Sequence, residues 1–162
     1  KISVRNYVIN KATNKSITLK TPANKSYSGD GNFTLVNGVI GTLPRISNQW
    51  LGWNSKDLDA VVDLGKEEDV SEISVGFLKE ELSWIYLPQE IEYFTSNDGV
   101  QFTSIGKITS NEINQERFAS LRIKTIKAKY VKKVAKNFGK IPSGKPGAGE
   151  NSWLFCDEII IK

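Results

Sequence analysis

The chain has 162 residues, 39% hydrophobic and 25% charged, which suits one domain with a real core and excludes disorder. No apolar run approaches the roughly 18 residues of a membrane helix, and the net charge is a mild +4. Histidine is absent altogether, which removes Ser-His-Asp, Cys-His and His-zinc chemistry.

Short runs of β-branched and aromatic residues alternate with Gly, Pro, Asn, Asp and Ser clusters, and no long amphipathic helical pattern occurs. In chain order the spacing predicts strands over residues 2–9, 15–19, 60–64, 70–77, 90–96, 102–108, 117–124, 129–136 and 153–161. Turns fall at Gly29-Asp30-Gly31-Asn32 and at Asn37-Gly38. Alternation in the fourth run breaks at Leu78. Asn97-Asp98-Gly99, set between Tyr93-Phe94 and Val100-Phe102, is a strong hairpin signal. Residues 139–151 are rich in Gly, Pro and Lys and read as a surface loop. Such spacing implies an all-β antiparallel sandwich in a single domain, residues 1–162. The chain begins at Lys1 rather than Met and so reads as a piece of a larger protein.

Chemistry is expected from four tryptophans. A flat indole covers the C–H face of a sugar while short polar neighbours bond its hydroxyls. Trp53 has Asn54, Ser55, Lys56 and Asp57 beside it, and Trp84 follows Lys79, Glu80, Glu81 and Ser83. These two are the expected stacking platforms, with Asp57 and Asn137 as hydroxyl partners. Trp50 and Trp153, beside presumed strands, are expected in the core, as is the single cysteine, Cys156. Glycosidase machinery needs two facing carboxylates about 5–9 Å apart. Adjacent strand residues such as Asp157 and Glu158 point to opposite faces unless the strand is distorted. Glu158 is better suited to a hard cation such as calcium, with Leu35, Asn37 and Thr42 of the turn at 35–42 supplying further oxygens. The lysines at 124, 127, 129, 132, 133, 136, 140 and 145 read as a solvated face and loop. The sequons at Asn14, Asn24 and Asn32 carry no weight in Lys/Asn/Ser-rich sequence.

Several segments, in order, carry a family likeness. They are Leu35-Val36-Asn37-Gly38, Gln49-Trp50-Leu51-Gly52-Trp53, Val61-Val62-Asp63-Leu64-Gly65, Ser96-Asn97-Asp98-Gly99-Val100-Gln101-Phe102, Ala128-Lys129-Tyr130-Val131-Lys132 and Phe155-Cys156-Asp157-Glu158-Ile159. With them the chain resembles the discoidin, or coagulation-factor type C, domains and the family 32 carbohydrate-binding modules among them. Trp84-Ile85-Tyr86-Leu87-Pro88 and Ala135-Lys136-Asn137-Phe138-Gly139 are similar to modules at the C-terminus of bacterial family 20 glycoside hydrolases, the β-hexosaminidases. The resemblance implies a jelly-roll-like sandwich of about eight strands with ligand loops at one end. It also implies one structural calcium near residues 35–42, closed by Glu158, and a non-catalytic module holding an extracellular, periplasmic or cell-surface bacterial hydrolase at its glycan. The implied sugar is galactose- or N-acetylhexosamine-type. Two departures stand out: Asn37 where the family has Asp, and Ser143-Gly144-Lys145 where relatives carry a Trp-His pair. The alternatives are an interaction domain for anionic surfaces (sulfated glycan or phospholipid), for which the loops show no clear apolar spike, and a spacer with all four tryptophans buried. Nucleic acid is not an expected partner.

Overall fold

The computed structural model describes residues 6–113 and 117–162. Nine strands are seen among them: β1 Asn6–Tyr7, β2 Ser16–Leu19, β3 Val39–Ile40, β4 Leu51–Asn54, β5 Leu58–Phe77, β6 Glu90–Ser96, β7 Thr103–Thr109, β8 Phe118–Ala135 and β9 Trp153–Ile161. Every pairing is antiparallel. β5 and β8 pair along most of their lengths, with register shifts between Asp63 and Glu68 and between Val70 and Glu72. There they bend and pass from one layer into the other. One layer has the order β2-β5-β8-β6-β7, the second β8-β5-β9-β4. Leu58, Ala60, Val62, Ile91, Tyr93, Val131 and Ala135 of the first layer face Ile73, Val75, Phe77, Leu154, Cys156, Ile159 and Ile161 of the second, giving the expected all-β sandwich.

Each of two pairs of expected strands is one bent strand. Gly65 reads as a breaker, yet it takes φ +85° and donates its N–H to Asp63 Oδ1 at 2.8 Å, so the chain bulges without ending. Leu78 breaks the alternation because it leaves the main core for a second cluster with Trp50, Ile85 and Phe155. Within the expected strand at 2–9, residues 2–5 lie outside the described residues and only Asn6–Tyr7 is strand. β4 has no counterpart among the expected strands. The hairpin at Asn97-Asp98-Gly99 forms, with Gly99 at φ +74° and Asp98 Oδ1 accepting from the N–H groups of Val100 and Gln101 at 2.8 Å each.

One lysine departs from the solvated-face reading. Residues 131, 133 and 135 share the inner face of β8, so Lys133 is fully buried between the layers with no hydrogen-bond partner for its Nζ. Desolvation brings its pKa from 10.5 down to about 7, against the opposing pull of Cys156 and Glu158.

Candidate functional site

β4 decides the fate of two tryptophans. It pairs with β9 through Leu51–Cys156, Gly52–Phe155, Trp53–Leu154 and Asn54–Trp153. With period two, Leu51 and Trp53 face the core while Gly52 and Asn54 face outward. Trp53 is therefore 1% exposed, its Nε1 donating to the Thr21 carbonyl at 3.0 Å, and it offers no surface to a ligand. This corrects its assignment as a platform. Trp50 is buried as expected, under Gly41 and 4.8 Å from the Arg117 guanidinium. Cys156 is also buried as expected, and burial pushes its thiol pKa well up.

Asn137 is likewise corrected from sugar partner to staple. Its Nδ2 donates to the carbonyls of Trp53 (3.3 Å) and Lys56 (3.1 Å), and its Oδ1 accepts from Gly139 N (2.9 Å) and Ser152 Oγ (2.6 Å). No valence is left for a ligand. Asn137→Ala removes all four bonds and is expected to cost about 2–4 kcal/mol, seen as a fall in Tm on the order of 10 °C. A sugar contact would instead lower affinity at unchanged Tm. Asp57 is exposed; one carboxylate oxygen accepts from Asn137 N at 2.8 Å, and it lines an open pocket with Lys20, Ser55, Lys56 and Asp59.

Trp84 remains on the surface, 40% exposed. It sits at φ +62°, a left-handed conformation that a bulky residue adopts at a cost of about 1–2 kcal/mol. Neighbouring backbone enforces it: Trp84 N donates to Glu81 O at 2.9 Å, and Trp153 N donates to Trp84 O at 2.8 Å. Its indole lies against Gly147, where any Cβ would collide with the ring. The result is a fixed, outward-facing aromatic ring.

Beside it stands a group that the sequence reading missed. Trp153, expected in the core, is half-buried on the outer face of β9 and meets Tyr27 edge-on at 5.0 Å. Tyr27 also meets Phe155 at 4.8 Å, and the Phe155 ring and the Tyr27 Cβ close over Gly52, which leaves no room for a side chain there. The Arg45 guanidinium lies 5.4 Å from the Tyr27 ring and 5.1 Å from that of Phe155. Its one ion pair is a loose 4.0 Å contact with Glu80, and its Nε has no hydrogen-bond partner. Leu43 (61% exposed), Ile46 (47%) and Leu82 (87%) project from the same two loops, so the expected lack of apolar loop tips does not hold.

The turn at 35–42 is gripped by both acids of β9. A register shift between Val75 and Phe77 places Cys156 and Ile159 on the core face and crowds Asp157 and Glu158 between them. Strand distortion thus lets both carboxylates reach one loop: Glu158 Oε2 accepts from Gly38 N at 3.1 Å, and Asp157 Oδ2 from Gly41 N at 2.7 Å. Arg117 adds bonds to Asp157 Oδ2 (3.3 Å) and Gly41 O (2.9 Å). Both acids are fully buried, so neither can meet a substrate. For calcium the donors fit in part. Glu158 Oε1 is buried without a partner, as a cation ligand would be, and desolvation raises the carboxyl pKa to about 9. Leu35 of the same turn is buried in the main core. Asn37 Oδ1, however, already accepts from Val39 N at 2.8 Å, and the Thr42 hydroxyl donates to Gln49 Oε1 at 2.9 Å. Such a site suits a weakly held ion.

The family model described as F5/8 type C domain matches residues 11–159. The chain belongs to the F5/8 type C (discoidin) family. No curated protein matches it in sequence. Solved structures with the same fold include chitosan-binding module 1 from a chitosanase/glucanase of Paenibacillus sp. IK-5, at 15% identity and TM-score 0.61, covering 96% of this chain and 99% of that one. The lectin domain of lectinolysin complexed with Lewis B antigen has 16% identity and TM-score 0.65, covering 96% and 97%. CpGH89CBM32-5 from Clostridium perfringens, in complex with GalNAc-β-1,3-galactose, has 15% identity and TM-score 0.62, covering 91% and 94%. In this F5/8 type C domain, Trp84, Trp153, Tyr27 and Arg45 gather around the β4–β9 edge.

Proposed function

We propose that this domain is a non-catalytic carbohydrate-binding module whose ligand stacks on Trp84. The observation that carries the reading is a tryptophan held in a strained left-handed conformation with 40% of its surface in solvent. Strain of this kind persists only where surrounding structure enforces it, and it clusters at ligand sites. Arg45, part-exposed, and Glu80 are the adjacent charged groups for sugar hydroxyls. Relatives in fold that bind chitosan, Lewis B antigen and GalNAc-β-1,3-galactose support the class. The exposed Trp84 argues against a spacer. In this reading the module is extracellular and tethers a β-hexosaminidase-like hydrolase to galactose- or N-acetylhexosamine-bearing glycans, raising the local substrate concentration. A glycan array with the isolated domain tests it: selective binding to terminal sugars, lost in Trp84→Ala, is expected, and silence across the array sinks the reading. A calcium ion held by Glu158 Oε1 and oxygens of Leu35, Asn37 and Thr42 would be structural, tying the 35–42 turn to β9.

A second reading rests on Leu43, Ile46 and Leu82, exposed apolar residues on the two loops that also carry the ion pairs Arg45–Glu80 and Lys79–Glu81, a set suited to meeting a lipid surface. No helix among the described residues is long and apolar enough to cross a membrane. Co-sedimentation with phosphatidylserine vesicles, abolished in Leu82→Ser, would favour this reading over the first.

A further inference from the structure

We propose, resting on the carbohydrate-binding reading above, that the glycan carries an acidic sugar whose carboxylate or sulfate sits against Lys79 and Lys145 beside Trp84. A pocket of about 210 Å³, room for one hexose, is lined by Lys79, Glu81, Tyr86, Ser110, Phe138 and Lys145, among others. Phe138, half-buried and stacked on the buried Tyr86 ring at 4.7 Å with 20° between their planes, gives the pocket an apolar wall. The Tyr86 hydroxyl is committed to the Pro146 carbonyl at 2.8 Å, which fixes that ring. Ser110 supplies a hydroxyl for a sugar on the opposite wall.

Charge selects the ligand. Lys79 Nζ lies 3.3 Å from Glu81 Oε1, and Lys145 Nζ lies 3.9 Å from the same oxygen, so two ammoniums share one carboxylate. Lys145 is only loosely paired and leans over the Tyr86 ring at 5.6 Å. One positive charge is therefore left over at the pocket mouth. A neutral sugar leaves it unmatched, whereas a uronate or sulfated hexose completes it with a charge-assisted hydrogen bond. The pocket adjoins the Trp84 platform through three consecutive residues: Lys145 lines it, Pro146 holds Tyr86, and Gly147 supports the Trp84 ring.

The test is an array of matched pairs: galacturonate against galactose termini, and 6-sulfated against unsulfated N-acetylglucosamine termini. Affinities are measured for the parent domain, Trp84→Ala and the double variant Lys79→Ala/Lys145→Ala. The acidic member of a pair is expected to bind about tenfold more tightly at low salt. The double variant should erase that preference while keeping neutral binding, and Trp84→Ala should lose both. Equal affinity within pairs, or an acid preference that survives the double variant, overturns the proposal alone. Silence on every sugar overturns it together with the reading beneath it.

Discussion

Trp53→Ala is expected to lower the melting temperature by on the order of 10 °C or more, whereas Trp84→Ala is expected to lower it by clearly less and to remove glycan binding. The two residues have similar polar neighbours in sequence but opposite settings in space. Trp53 is 1% exposed, lies in the main core and anchors the 20–25 loop through its bond to Thr21 O. Truncation to alanine removes the largest kind of buried side chain and leaves a cavity, a change worth about 3–5 kcal/mol. That is a large share of the roughly 5–15 kcal/mol by which a domain is stable. Trp84 is 40% exposed and lies outside the core clusters, so its truncation opens no internal cavity and costs less, although the part of the indole packed on Gly147 is lost. Alanine fits the left-handed conformation no worse than tryptophan. Thermal melts read together with array binding separate the two effects. If Trp84→Ala destabilises as much as Trp53→Ala, the indole is a structural plug over Gly147 rather than a platform.

Lys133→Met is expected to stabilise the protein by about 1–3 kcal/mol at neutral pH, because it removes a buried amine that has no hydrogen-bond partner. The ammonium lies fully buried on the inner face of β8, between Val131 and Ala135, with Cys156 and Glu158 of β9 as the ionisable groups that act on it. Its folded pKa of about 7 against 10.5 means that the unfolded chain holds more protons between those values. Stability therefore rises with pH across that window, by roughly 1.4 kcal/mol per unit. Glu158 acts the other way. Its carboxyl pKa, raised from 4.5 to about 9, means that the folded state holds the extra proton, so stability falls between those values. In chelator the parent should lose stability from pH 4.5 to 7 and then stay level, because above pH 9 the buried Cys156 thiol, whose pKa is also raised, offsets the gain from Lys133. Lys133→Met should continue to fall up to pH 9. Calcium, which needs the ionised carboxylate, should flatten the falling limb. Denaturant unfolding at a series of pH values, with and without calcium, provides the measurement. Destabilisation by Lys133→Met would show instead that the ammonium serves as the counter-charge to Glu158.

Much of the architecture was legible in the sequence. Runs of Val, Ile, Tyr and Phe with turn residues between them located most of the strands, and Asn97-Asp98-Gly99 marked its hairpin, because alternation and turn chemistry are local properties. The site was less legible. Reading Leu51–Asn54 as a strand would have sent Trp53 inward and placed Gly52 and Asn54 on the outer face, pointing to Trp153 through the β4–β9 register. Nothing in the local sequence marks Arg45 or Tyr27; they meet Phe155 only when the 24–28 and 41–46 loops fold over β9.

By itself the sequence determined the all-β class, the absence of histidine chemistry, the buried thiol and the acids at the start of the 157–161 segment. Each follows from composition or from a period of two along the chain. Tertiary structure decided which tryptophan faces solvent, which lysine is buried, that Asn137 is a staple and that one bulge turns Asp157 and Glu158 toward the same loop. These outcomes depend on strand register and loop closure, which join residues far apart in the chain, and no local pattern specifies which partner arrives opposite a given side chain.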